Sequence, residues 1–178
     1  EDNDGYGSNA TGNNADECPN EAGTSTIDRI GCSDRDGDGY SNAGDPFPDD
    51  SSQWADRDGD GRGDNPNGSN PDAFPDDTSQ WKDTDGDGYG DNVSHSSGDA
   101  CAEWFGNSSL DRNGCPDSDG DGYSNPGTYA GKDWDAEDGA DVYIDDPTQW
   151  ADTDGDGYGD NKFGNNPDHF INNSAAAN

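Results

Sequence analysis

Apolar residues are scarce in this chain, at 24% of 178 residues, and methionine is absent. So small a store of apolar surface excludes an ordinary hydrophobic core, and by composition alone the chain matches a disordered acidic linker. Basic side chains are rarer still. Eight Lys and Arg stand against 42 Asp and Glu, a net charge of −34 whose field excludes nucleic acid and anionic membrane as partners. No stretch approaches the apolar length of a membrane span or of a signal-peptide core, so either a leader has been removed or this is a segment of something longer. His95 and His169 are the only histidines, and neither lies in a nucleophile elbow or at zinc-ligand spacing. Close carboxylates abound, but no apolar pocket is at hand to raise one pKa, so the sequence is not that of an enzyme. Helical periodicity longer than a turn is also missing, which excludes the flanking helices of EF-hand and dockerin modules. The nine-residue glycine period of a β-roll is missing too.

What the chain has instead is aspartate in register. In DDTSQWKDTDGDGYGDN, Asp76 to Asn92, three acids, Asp83, Asp85 and Asp87, stand at positions 1, 3 and 5 of a loop, with Gly88 at 6, Tyr89 at 7 and Asp91 at 9. This is the ligand spacing of an oxygen cage for calcium. Calcium is a hard cation that takes six to eight oxygens at about 2.4 Å, so alternate carboxylates curl inward around it. Position 6 turns too sharply for a Cβ, and position 7 offers its backbone carbonyl. The pattern recurs at Asp34, Asp36, Asp38, Tyr40 and Asn42, and again at Asp56, Asp58, Asp60, Arg62 and Asp64. Further on it returns at Asp117, Asp119, Asp121, Tyr123 and Asn125, and at Asp152, Asp154, Asp156, Tyr158 and Asp160. The chain opens inside a split loop, with Asp2 at position 3, Asp4 at 5 and Tyr6 at 7. A disordered acidic chain has no reason to keep such a register, and at least five calcium ions are expected. One Trp and one Phe per 27-residue unit cannot offset the cost of ordering its backbone, so metal ligation must supply much of the folding free energy.

A longer period lies over the loops. Gly7 to Asn42 aligns with Gly90 to Asn125 at a constant offset of 83, and each copy carries two cysteines 14 residues apart. Of three connectivities, Cys18 with Cys32 and Cys101 with Cys115 is the most economical, each closure being worth about 3 kcal/mol in the chain-entropy model. A zinc site would need tighter C-x-x-C spacing. Two blocks follow: residues 1–89, with the split loop, a disulfide loop and three calcium loops, and residues 90–178, with a disulfide loop, two calcium loops and an acidic insert. The insert holds Asp133, Asp135, Glu137, Asp138, Gly139 and Asp141, a degenerate further loop with one extra residue. Structural cysteines and calcium loops together place the chain outside the cell or on its surface. There the sequons at Asn9, Asn67, Asn92, Asn107 and Asn172 are candidates for N-linked glycan, Asn9 and Asn92 being equivalent across the 83-residue offset. Asn178 of one copy would supply position 1 of the split loop of the next, so copies joined head to tail into a fibre are one expectation and an arbitrary fragment boundary the other.

The pattern as a whole resembles thrombospondin type 3 repeats. The tandem D-x-D-x-D-G-x-x-D loops, the Asn-Pro element between them and Cys-Pro at Cys18 carry the likeness, and AFPDDTSQW and GCPDSDGDGY bring it nearest to the microbial versions. The resemblance covers nearly the full chain. It implies repeats wrapped around calcium with little regular structure, the loop residues named above as ligands, often more than one ion per unit, and an extracellular role in adhesion or as a spacer. The chain departs from the family at position 12, where an acid is usual and only Asp45 provides one; Asn67, Ser94, Thr128 and Phe163 stand there elsewhere. The 27-residue units also lack the usual cysteine. Asp49, Asp50, Asp72, Asp76, Asp77, Asp145 and Asp146 either supply the missing oxygens or cap turns.

The expected fold is therefore mostly irregular and elongated, tandem calcium loops stapled by ions and local disulfides. Val142 to Ile144 is the one β-like run, and Ala175 to Ala177 would be a frayed helical turn. Trp54, Trp81 and Trp150, each after Gln and six to seven residues beyond Phe47, Phe74 or Ile144, are expected to pair with these apolar side chains and bridge successive loops, the tyrosines at position 7 placing their rings at the same height along a stack; sugar-stacking platforms are the rival reading. The expected function is a calcium-stabilised structural spacer or fibre subunit; the alternative is a calcium-dependent adhesion module for a polysaccharide, protein or mineral surface.

Overall fold

The structure, a computed structural model, describes residues 2–7, 11–12 and 15–176. Among them there is no helix, and the regular structure consists of two three-residue strands, β1 (Gly127–Tyr129) and β2 (Lys132–Trp134). These pair antiparallel, Thr128 opposite Asp133, through a turn at Ala130 and Gly131 with φ of 51° and 77°. Two successive positive φ values match the twist of a tight hairpin. The hairpin falls in the acidic insert, where a further loop was expected. Asp133 accepts from Thr128 Oγ1 at 2.6 Å, and Asp135 Oδ1 caps a turn at the Glu137 amide, 2.9 Å away. Val142 to Ile144 is no strand: the Asp146 amide folds back onto the Tyr143 carbonyl at 2.7 Å, and the Val142 amide donates to the Trp150 carbonyl at 3.2 Å across the acidic turn without a ladder being formed. Near the end, the Ala176 amide donates to Asn173 in a single turn, and Ala177 lies outside the described residues, as do Asn9, Glu1 and Asn178.

The chain forms two compact units, Glu1–Trp81 and Lys82–Asn178. The loop at Asp83 thus belongs to the second unit, whereas the 83-residue repeat places it in the first block.

Polar side chains take the place of a greasy interior. Gln53, Gln80 and Gln149 are the largest fully buried side chains. Gln53 Nε2 donates to the carbonyls of Asn65 and Ser69, both at 3.0 Å, while its Oε1 accepts from the Asn65 amide at 2.9 Å. Gln149 repeats this with Asn161 and Asn165. A buried amide with its donors and acceptor satisfied can tie two loop segments together without the desolvation penalty of an orphaned group. Among the described residues one apolar cluster forms, of Cys101, Cys115 and Tyr129, flanked by Ala100, Trp104 and Trp134. Arg112 lies over both Tyr129 and Trp134, at 5.3 and 4.7 Å from the ring centroids.

Both expected disulfides are formed, Cys18–Cys32 and Cys101–Cys115, with Cα atoms 5.0 Å apart in each, and no cysteine is free. Paired structural cysteines belong to an oxidising, non-cytoplasmic setting. No helix among the described residues is long and apolar enough to cross a membrane.

Candidate metal centres

Each aspartate loop is curled by its own backbone. In the loop at Asp83, one carboxylate oxygen of that residue accepts the Gly86 amide at 2.7 Å and the other accepts the Gly88 amide at 3.0 Å. Asp85 Oδ1 accepts from Asp87 at 3.2 Å, and Asp87 Oδ1 accepts from Tyr89 at 2.8 Å. The same ladder recurs at Asp34, Asp56, Asp117 and Asp152. The turn demands left-handed backbone at position 4 as well as 6: Gly86 and Gly88 have φ of 82° and 96°. In the split loop Asn3 fills position 4 at φ 66°, a conformation asparagine tolerates better than other side chains.

These ladders gather the acids at positions 1, 3 and 5. Ligand oxygens of Asp34, Asp36 and Asp38 all lie within 4.8 Å of one another, as do those of Asp56, Asp58 and Asp60, of Asp83, Asp85 and Asp87, and of Asp117, Asp119 and Asp121. In the split loop the cluster is Asp2, Asp4 and Asp16. Several acidic clusters could therefore hold metal ions. Among the described residues, twelve aspartate Oδ2 atoms are buried with no hydrogen-bond donor in reach, and they include position 3 of every loop: Asp2, Asp36, Asp58, Asp85, Asp119 and Asp154. A buried, unpaired carboxylate oxygen is costly unless a cation faces it. The ligand atoms the clusters offer are all carboxylate oxygens, the donor type that hard divalent cations take.

Position 9 does different work. Asp64, Asp91, Asp160, Asn42 and Asn125 each turn Oδ1 to the amide of position 2, at 2.9 to 3.2 Å, closing the loop. Asp91 Oδ2 is also taken, by Lys82 Nζ at 2.7 Å and Thr84 Oγ1 at 2.6 Å. Burial raises the Asp91 pKa, but the hydrogen bonds from Lys82 and Thr84 outweigh it and hold the carboxyl below its usual range.

Position 7 turns outward. Tyr40 stacks on Trp54 and Tyr123 on Trp150, with ring planes within 7° of parallel, and the Arg62 guanidinium lies 4.7 Å from the centroid of Trp81. The tryptophans thus rest on position 7 of the preceding loop, where Phe47, Phe74 and Ile144 were the expected partners. Of the acids weighed as extra ligands, Asp50 and Asp146 cap the turns at Ser52 and Thr148, while Asp49 and Asp76 pair with Arg35 and Arg57.

A set of acids outside the nine-residue motif also reaches these clusters. Asp16, Asp72, Asp99 and Asp168 lie sixteen residues beyond position 1, counting the missing first residue of the split loop; Asp45 lies eleven beyond and Asp141 twenty-four. In every case the amide of this residue donates to the carbonyl of position 8, which is Gly7, Ser41, Gly63, Gly90, Ser124 or Gly159, at 2.7 to 3.0 Å. All six are buried. Burial first, and then the carboxylates of the adjoining loop, lift Asp99 to about 7 and Asp141 to about 6 against hydrogen bonds that lower them. Asp45 and Asp72 are raised for the same reasons. The sequence reading had Asp45, weighed Asp72, placed Asp141 in another loop and missed Asp16, Asp99 and Asp168. A shared signal exists: Phe47, Phe74, Tyr143, Phe170, Cys18 or Cys101 follows two residues later.

A scan against protein-family models matches none, and no curated protein is similar to the chain in sequence.

Proposed function

We propose that this chain is an extracellular structural protein whose aspartate loops bind calcium, and that the bound ions hold it in shape as a spacer or fibre subunit. The observation that carries the reading is the buried, donorless Oδ2 at position 3 of all six loops. Those oxygens, with the neighbouring carboxylates at positions 1 and 5, form an anionic cavity that is self-repelling until a cation enters. Calcium is preferred to magnesium because six to eight oxygens on a flexible loop suit it, whereas magnesium keeps its own waters and near-ideal octahedral geometry. The resemblance of the motif spacing to thrombospondin type 3 repeats supports the same choice.

The structural role follows from what the ions replace. With polar glutamines and two disulfides in place of a hydrophobic interior, folding would be linked to ion uptake. N-linked glycans on the exposed Asn67, Asn107 and Asn172 would add a solubilising coat, and copies joined head to tail would extend the spacer. Native mass spectrometry in calcium, and separately in magnesium, tests the reading. Five or more calcium ions per chain, retained against excess magnesium, are expected; a chain without bound calcium would refute it. Electron cryo-microscopy of the calcium form tests assembly: filaments are expected, and isolated particles alone would remove the fibre.

A further inference from the structure

The nine-residue loop is an incomplete cage. Positions 1, 3 and 5 and one carbonyl give four protein groups, and position 9 is committed to the loop's own backbone. Calcium needs six to eight oxygens, and the acid usual at position 12 is present once only, as Asp45.

The buried acids anchored to position 8 are placed to complete it. Oδ1 of each is used locally, accepting the amide two residues on: Phe74 for Asp72, Cys101 for Asp99, Tyr143 for Asp141 and Phe170 for Asp168, at 2.6 to 2.7 Å. Oδ2 of these four is buried and has no donor. Turn capping explains the first oxygen and leaves the second unexplained. Proximity to the loops is direct in two cases: an Asp16 oxygen lies within 4.8 Å of those of Asp2 and Asp4, and a methyl group on Gly114 would meet both Asp99 at 2.3 Å and Asp87 at 3.1 Å.

We infer that Asp16, Asp72, Asp99, Asp141 and Asp168 ligate the ion of the loop each is anchored to, doing from outside the motif what Asp45 does at position 12. The inference rests on the calcium reading and adds the ligand that makes each ion a clasp. The ion then closes a circuit of 17 residues, or of 25 at Asp117, and not of nine. What lies inside the circuit is free to vary, because the position-8 hydrogen bond and the ion fix only its ends. The loop at Asp117 shows this: its circuit is eight residues longer than 17, and the hairpin Gly127–Trp134 is eight residues long.

Calorimetric calcium titration of the full chain tests this through Asp99→Asn, Asp85→Asn and, as a control for lost charge alone, Glu103→Gln at an exposed position outside every loop. Asparagine keeps the Oδ1 acceptor for the Cys101 amide and loses the charged oxygen. Asp99→Asn is expected to weaken one site at least tenfold, as Asp85→Asn does, while Glu103→Gln leaves all sites within about threefold. If Asp85→Asn weakens a site and Asp99→Asn does not, the clasp is overturned and the calcium reading stands. If the parent chain takes up no calcium, both fall. Should Asp99→Asn disturb the buried Cys101–Cys115 region, Asp168→Asn, away from either disulfide in sequence, carries the same expectation and the same power to overturn it.

Discussion

Tyr123 lies flat on Trp150, ring centroids 5.0 Å apart and planes 7° from parallel. One ring belongs to position 7 of a loop and the other precedes the next loop by one residue, so the stack joins consecutive aspartate loops through their backbones. Tyr40 and Trp54 are joined likewise, at 6.1 Å. Where no Trp precedes a loop, at Asp34 and Asp117, a half-cystine stands at the corresponding place, Cys32 and Cys115. Trp150→Ala should therefore destabilise the calcium form by about 2 kcal/mol, the sum of lost burial and ring contact. Thermal unfolding in saturating calcium measures it; no change would mean the ring is ornamental to the fold.

Close approach of Gln53 to Gly63 sets a second expectation. A Cβ on Gly63 would fall 1.9 Å from Gln53 Cδ, whereas one on Gly7, also at position 8, would meet nothing within 4 Å among the described residues. Gly63→Ala should cost roughly 2 kcal/mol or more by overpacking a buried amide, and Gly7→Ala less than about 0.5 kcal/mol. Equal effects in paired melts would contradict the buried-glutamine account.

Acidity should act in opposite directions with and without the cation. Without it, Asp99 titrates near 7 and Asp141 near 6, above the ordinary carboxylate value of 3.8. A raised pKa means the folded chain keeps protons that the unfolded chain has released. The stability it contributes is whole below about pH 4 and lost as pH rises through 6 to 7. The calcium-free chain should thus be more ordered at pH 5 than at pH 8 by circular dichroism. With calcium, the ion replaces those protons, so its affinity should fall as pH is lowered through 7 to 6. A calcium-free chain that gains order from pH 5 to 8 would count against this.

The two disulfides should differ in exposure to reductant. Cys101 and Cys115 are fully buried under the hairpin aromatics, while Cys18 is only half-buried. Graded reduction with alkylation and mass spectrometry should label Cys18 and Cys32 first; simultaneous or reversed labelling would contradict the shielding.

Much of this was legible in the sequence because its causes are local. The acids at positions 1, 3 and 5 are gathered by hydrogen bonds within six residues, and each disulfide closes a short loop, so spacing alone reveals both. The buried Asp99 and Asp168 were not legible, since they meet their loops only after the chain returns to position 8. Asp141 was hidden further by the hairpin between it and Asp117. The strands themselves, GTY and KDW, carry no alternating apolar pattern; they form where Tyr129 and Trp134 close over a disulfide and Arg112. Val142 to Ile144 misled in the other direction, β-branched residues followed by an acidic turn.

The central claim is that occupied carboxylate cages replace an apolar interior. Hydrodynamic radius, followed by light scattering as calcium is chelated and then restored, tests it most directly. The account predicts a reversible expansion toward the dimensions of an unfolded chain on chelation and recompaction on return of the ion; a radius unchanged by chelator would contradict it.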